Sequence, residues 1–370
     1  MPAKGHIGLT VLGSIALGLA LGAALCFGVF GGREEATITG AALVALGCGI
    51  LTLFFAARRL TDQPQPWALA PGIGVGIAGL ALLILTPGDR VLRWLGWLWP
   101  LLLALLVVWS VRGARRSLHN WSRRALLYPA FVVLGLVAVG GAYETVAETT
   151  TSNPAPLTGR TYTVAGHSLY LNCAGSGSPT VILFNGHMER TPSWAWVQPD
   201  VARETRACTF DRAGQAWSGE GVGTQDAHEL SDDVHALLAA ARVPGPYVVS
   251  GHSVGGPYAL AYAMDFPSDV AGVALIDSST PYQFELPDYP GFYALWRRVG
   301  ATLPSLARAG IARLTLGRGS SLPPDARRSA QLFAASPREL RANRVEFAEL
   351  RTVFEQTKGL RSLGKKPCTF

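Results

Sequence analysis

Pro246-Tyr247-Val248-Val249-Ser250-Gly251-His252-Ser253-Val254-Gly255-Gly256-Pro257-Tyr258-Ala259-Leu260 is the stretch that decides how the globular part of this chain reads. A short β-branched and aromatic segment runs into G-x-S-x-G, and Ala/Leu-rich helical periodicity follows. A chain with 42 glycines supplies a bare G-x-S-x-G by chance, so the strand–turn–helix context is what makes it a nucleophile elbow. Gly251 and Gly255 are needed because strand and helix nearly touch at so tight a turn, which lifts the Ser253 hydroxyl above the sheet edge. Ser253 is the candidate nucleophile.

Around that stretch the composition splits. The mean hydropathy of +0.25 is high for a wholly soluble protein, and 370 residues exceed one ordinary domain. Long apolar runs fill the first 150 residues; charges become frequent afterwards. Residues 1–150 hold 11 Lys+Arg and 6 Asp+Glu, and residues 151–370 hold 21 and 19, so the basic excess of +5 against +2 sits mainly in the apolar half. No basic run with interleaved aromatics occurs in the globular half, which argues against nucleic-acid binding. The expected organisation is a membrane domain over 1–147, a Thr/Ser/Asn/Pro-rich linker over 148–159 and a globular domain over 160–370.

Five segments are long enough to cross a bilayer: Ile7–Phe30, Ala36–Ala57, Trp67–Thr86, Val91–Val111 and Ala125–Val146. The first is too long for the apolar core of a cleaved signal peptide. Trp67, Trp94, Trp97, Trp99, Trp109 and Trp121 gather near segment ends, as interfacial aromatics do. Gly72, Gly74, Gly76 and Gly79 read as close helix packing, and no acidic or His relay is read within the spans, so a transporter is disfavoured. Lys4, Arg58, Arg59, Arg112, Arg115, Arg116, Arg123 and Arg124 fall on one side, against Arg33, Arg90 and Arg93 on the other. Eight against three puts the N-terminus inside, and an odd span count then puts the globular domain outside the cytoplasm. Arg93 and Pro100 make the fourth segment the weakest span; a re-entrant pair there would reverse the orientation.

In the globular half, Arg160–Val164 and Ser168–Ala174 read as a hairpin, with His167 in an exposed turn. Thr180–Phe184 is a buried-type strand leading into Asn185-Gly186-His187-Met188-Glu189, where a glycine lets a backbone N–H approach a substrate oxygen. Arg206–Phe210 is a strand before Asp211-Arg212-Ala213-Gly214, His228–Ala241 a helix, and Val270–Ile276 a strand ending in Asp277. Strands alternating with helices predict α/β architecture with a parallel sheet. From Tyr282 to about Leu360 the chain is Pro-punctuated and helical, an insertion expected to cap the site.

These residues resemble the α/β-hydrolase superfamily, and within it the esterase-type serine hydrolases that read GHSxGG at the elbow. The resemblance covers about Arg160 to the chain's end. It rests on the Asn185-Gly186-His187 loop, the Phe210-Asp211-Arg212-Ala213-Gly214 turn and Gly251–Gly256, in the expected order. It implies Ser253 as nucleophile, the backbone N–H groups of Val254 and His187 as the oxyanion hole, and a structural role for Asp211 and Arg212. Ala216 departs from the glycine common among relatives.

A larger departure concerns the base. The fold orders its triad Ser, acid, His, yet none of the seven histidines (His6, His119, His167, His187, His228, His235 and His252) follows Ser253. His252 adjoins the serine, but neighbouring side chains on an elbow point apart; Asp277 is a possible acid after the sixth strand. Gly364–Phe370 reads as the opening of a seventh strand, so the chain is expected to be an incomplete, nearly inactive hydrolase. The resemblance also implies a Cys173–Cys208 disulfide, since the family's sheet order sets the second and fourth strands side by side and an outside compartment permits the bond; two buried free thiols are the alternative. The expected activity is a membrane-anchored serine hydrolase acting on a small-molecule or lipid-like ester or amide, at the cell membrane. A non-catalytic hydrolase-like binding protein is the alternative. No cofactor is expected, for no Cys/His ligand spacing or phosphate-binding fingerprint occurs.

Overall fold

The computed structural model describes residues 7–118, 126–151, 158–221, 224–316, 321–360 and 362–369. Lys4, His6, His119, Trp121, Arg123, Arg124, Ala125 and most of the linker lie outside the described residues. Two compact units emerge, one of Met1–Thr150 with Arg298–Leu314, the other of Thr151–Arg297 with Thr315–Phe370. The stretch 282–360 expected to form one cap is therefore divided between them.

The first unit contains α1 (Ile7–Ala23), α2 (Glu35–Leu60), α3 (Leu69–Leu85), α4 (Asp89–Gly96), α5 (Trp99–Ser117) and α6 (Tyr128–Thr151). Four stretches of the described residues are long and apolar enough to cross a membrane: Ile7–Val29, Glu35–Leu60, Pro66–Leu85 and Tyr128–Thr150. The fourth expected span is instead the pair α4 and α5, bent by 47°. Pro100 at the start of α5 and the Trp97–Trp99 break account for the bend, because proline cannot donate to the preceding turn. Glycine lets α2 and α3 touch: a Cβ on Gly79 would lie 2.6 Å from the Val44 amide nitrogen, and one on Gly47 2.8 Å from that of Gly76. Gly74, expected in this contact, faces open space. No acidic or His relay is expected within the spans from their sequence, yet acidic groups do occur in and beside the apolar helices. Glu144 on α6 is buried and bonded to Arg313, while Arg308 bonds to Glu35 and, at 2.7 Å, to Asp89, so these charges occur as pairs.

In the second unit a seven-stranded sheet runs β1 (Arg160–Val164), β2 (His167–Ala174), β4 (Ala207–Asp211), β3 (Thr180–Phe184), β5 (Tyr247–Ser253), β6 (Val270–Ser278), β7 (Cys368–Thr369) in space. The contacts β1–β2 and β2–β4 are antiparallel and the rest are parallel. The run Val-Ile-Leu-Phe in β3 has no polar alternation because both faces are covered, and Ile182, Phe184, Phe210 and Val249 sit in the core. The helices are α7 (Gln198–Glu204), α8 (Ala227–Ala240), α9 (Gly255–Asp265), the first part of α10 (Tyr289–Arg308), whose residues from Arg298 belong to the first unit, α11 (Pro324–Ala334) and α12 (Pro337–Thr357). Asp226 caps α8, its carboxylate accepting from the His228 and Glu229 amides.

α12 is a packing layer rather than a loose lid. Leu350, Val353 and Phe354, one helical stripe, join the same core as Leu237 and Tyr258. Cys173 and Cys208 face each other in the β2–β4 register and form the expected disulfide, with Cα atoms 4.0 Å apart. His167 departs from expectation. The turn consists of Ala165 and Gly166, and His167 opens β2 with its side chain buried against Asp233 at 2.9 Å.

Candidate active site

Ser253 ends β5 with φ of +52°, a left-handed backbone that a non-glycine residue holds only when its surroundings impose it. Those surroundings are the two elbow glycines. A Cβ on Gly251 would strike the Gly255 carbonyl, and one on Gly255 would strike the carbonyl oxygens of Phe184 and Asn185. The second clash shows how closely α9 starts against the end of β3. It sets the Asn185–His187 loop beside Ser253. The serine's carbonyl accepts from the Ser279 amide at 2.9 Å, which ties the elbow to the end of β6.

Arg212 orients that loop. Its guanidinium donates to the Asn185 carbonyl at 2.6 Å and the Gly186 carbonyl at 2.8 Å, and it pairs with Glu346 of α12 at 2.9 Å. In a trans peptide the N–H points opposite the C=O, so holding the Gly186 oxygen on Arg212 turns the His187 N–H the other way. Holding the Asn185 oxygen does the same for the Gly186 N–H, which donates to Glu189 at 2.7 Å. The other oxygen of Glu189 pairs with His252 Nδ1 at 2.9 Å. Asn185 is buried between the Phe210 carbonyl and the Trp194 indole, both at 2.7 Å. A loop so bracketed is pre-organised.

Deeper in the unit, burial pushes the Asp211 carboxyl up to about 6, although it accepts from the Thr191 amide at 2.7 Å. Burial, the largest single influence, would raise the Glu346 carboxyl too, but Arg212, His187 and Gln215 together outweigh it and the net shift is downward. Glu346 also meets His187 at 3.5 Å and accepts from Gln215 at 2.8 Å. A second buried carboxylate of α12, Glu339, pairs with Arg190 at 3.1 Å and accepts from the Ala216 amide at 2.8 Å. Asp211 and Arg212 thus have the structural setting that the resemblance implied.

Not every candidate joins the group. Asp277, with φ of +44°, is exposed and bonds to no described residue. Every described histidine lies against a carboxylate: His167 with Asp233, His187 with Glu346, His228 with Asp265, His235 with Asp269 and His252 with Glu189. None is bonded to Ser253. Glu189, Glu339 and Glu346 escaped the sequence reading because their partners lie up to 149 positions away, and an amphipathic helix with several carboxylates does not reveal which one turns inward.

Residues 179–362 match the family model described as alpha/beta hydrolase fold. The chain is 28% identical over 152 residues to an uncharacterized protein of Schizosaccharomyces pombe, covering 33% of this chain and 28% of that protein. It is also 28% identical over 124 residues to the pimeloyl-[acyl-carrier protein] methyl ester esterase of Sodalis glossinidius, covering 34% and 46%. The chain thus spans less than half the length of these curated relatives. Among solved structures, the Cif epoxide hydrolase from Acinetobacter nosocomialis matches with a TM-score of 0.48 and 14% identity, over 60% of this chain and 76% of that one. With its matched segment, its elbow and its seven-stranded sheet, the globular part of this chain belongs to the α/β-hydrolase fold family.

Proposed function

We propose that this protein is a membrane-anchored serine hydrolase that cleaves a small-molecule or lipid-like ester or amide through an acyl-enzyme at Ser253. The observation that carries the reading is the left-handed φ of Ser253 between two glycines that admit no side chain, with the Gly186–His187 peptide turned by Arg212. In this reading Ser253 Oγ attacks the substrate carbonyl carbon and gives its proton to water, which returns one to the leaving oxygen or nitrogen, while the Val254 and His187 N–H groups receive the oxyanion. Collapse expels the alcohol or amine, and water then releases the acid. Asp277 is exposed and meets no histidine among the described residues, so this reading gives it no proton to move.

The base is the open place. No histidine follows Ser253, and those described elsewhere are paired with carboxylates. A triad serine without its base loses about 10⁶ in turnover, whereas the oxyanion hole and binding keep about 10³–10⁴ over water. The same observation favours a second reading, a hydrolase-like domain that binds a ligand without turning it over. Added imidazole separates the two. The detergent-solubilised full chain is expected to hydrolyse p-nitrophenyl butyrate slowly and to be accelerated by imidazole beyond the Ser253→Ala variant. Equal rates for the two proteins at every imidazole concentration would favour the binding reading. The sidedness that accompanies the proposal, hydrolase domain outside the cytoplasm, is supported by the Lys/Arg bias and by five crossings if the bent α4–α5 pair makes one.

A further inference from the structure

From Arg298 to Leu314 the chain belongs to the first unit, and this segment is packed inside out. Arg308 and Arg313 turn inward: Arg308 donates to Glu35 and, at 2.7 Å, to Asp89, and Arg313 donates to both oxygens of Glu144. The side chains of those three carboxylates are at most 6% exposed. Leu306, Ile311 and Leu314 instead face outward, 38%, 37% and 62% exposed, while the small Ala301, Ala307 and Ala312 are buried. In water such a segment is disfavoured twice, because its charges give up hydration while its large apolar groups stay wet. In hydrocarbon the same pattern is the favoured one: charges pair in the interior and apolar side chains face the lipid.

The contacts of the segment fix its level. Ala301 clusters with Cys26 and Ile38, against which Leu83 packs, and Ser305 shares a hydrogen bond of 2.8 Å with Thr39. Cys26 and Leu83 lie near the ends of Ile7–Val29 and Pro66–Leu85, and Ile38 and Thr39 near the start of Glu35–Leu60, so stretches that alternate in direction bring these three ends to one face. The opposite ends gather in a separate cluster, Val11 with Ala57, Leu118 and Phe131. The Ala309–Gly310 turn rests on α6, where a Cβ on Gly310 would lie 2.5 Å from the Gly140 carbonyl oxygen. Gly140 precedes Glu144, the first charged residue of α6, by one helical turn, about 6 Å along the axis. Interfacial helices bury their apolar side to a similar depth, about 5–10 Å.

We propose that Arg298–Leu314 docks in the bilayer interface at this face, with Leu306, Ile311 and Leu314 among the lipid acyl chains. Arg298, exposed where the segment begins, then stands at headgroup level, as basic residues flanking an interfacial apolar face do. The proposal rests on the membrane-anchored reading above. It adds that the long helical stretch between β6 and β7 is itself fastened to one leaflet, the leaflet from which a lipid-like ester would come.

Nitroxide labels attached through Leu306→Cys and, separately, Leu314→Cys test the docking. The full chain, with Cys26, Cys48 and Cys368 changed to alanine, is reconstituted in vesicles of phosphatidylcholine and phosphatidylglycerol. Electron paramagnetic resonance then compares collisions of each label with oxygen, which concentrates in hydrocarbon, and with a water-soluble nickel chelate. Leu80→Cys, at an exposed position of α3, and Asp200→Cys, at an exposed position of the second unit, serve as the lipid and water references. Both labels are expected to favour oxygen as Leu80→Cys does, with the reverse at Asp200→Cys. The proposal is overturned if either label favours the chelate, or is shielded from both reagents as in contact with a second protein copy. A Leu80→Cys label that also favours the chelate would sink the membrane-anchored reading with it, which keeps the two failures distinct.

Discussion

Ala216 has φ of +38° and donates its amide to Glu339, so it occupies a left-handed position of the kind that favours glycine. The left-handed conformation costs an L-residue about 1–2 kcal/mol, partly offset by the greater unfolded-state freedom of glycine. Ala216→Gly is therefore expected to stabilise the globular domain by about 0.5–1 kcal/mol in denaturant titration; a loss of stability would show that the Ala216 methyl packs usefully. Asp211 gives a pH test. Its carboxyl rises from 3.8 to about 6 on folding, so its contribution to stability is fully present below pH 3.8 and is lost as the pH rises through 6. Stability of Asp211→Asn relative to wild type should thus increase by up to about 3 kcal/mol between pH 4 and 7. A flat difference would mean that the Thr191 and Trp217 amides, which donate to it at 2.7 and 3.5 Å, hold the carboxylate ionised throughout. Ser253 was legible from sequence because an elbow is written in adjacent residues. The setting of His167 was not, since its partner Asp233 lies 66 positions away on α8.

At the scale of elements, the strand and helix order of the globular half follows from local pattern: the apolar run of β3, the capped start of α8 and the elbow between β5 and α9. The role of α12 does not, because its apolar stripe suits a lid as well as a core layer and only the partner surface decides. Likewise, the bend between α4 and α5 is written in Pro100, but whether the pair makes one crossing depends on neighbouring helices. The β2–β4 pairing carries the sharpest test here. Closing a loop of 35 residues, the Cys173–Cys208 bond should contribute about 3–4 kcal/mol. Thiol titration of the denatured, unreduced chain is expected to find Cys26, Cys48 and Cys368 only, and Cys173→Ser should lower the denaturation midpoint. Five titrating thiols would refute the bond.

For the whole molecule the proposal joins an apolar helical unit to an α/β-hydrolase domain and sets that domain outside the cytoplasm. Reporter fusions at residue 150 are expected to be active only with a reporter that requires export; activity only with a cytoplasm-dependent reporter would reverse the assignment. The central claim, that the elbow makes Ser253 a nucleophile, is tested most directly by mass spectrometry of the full-length protein after exposure to a fluorophosphonate. The account predicts one covalent phosphonyl adduct, located on the peptide containing Ser253, formed faster with imidazole present and absent in Ser253→Ala. An adduct on another residue, or no adduct at any imidazole concentration, would contradict it.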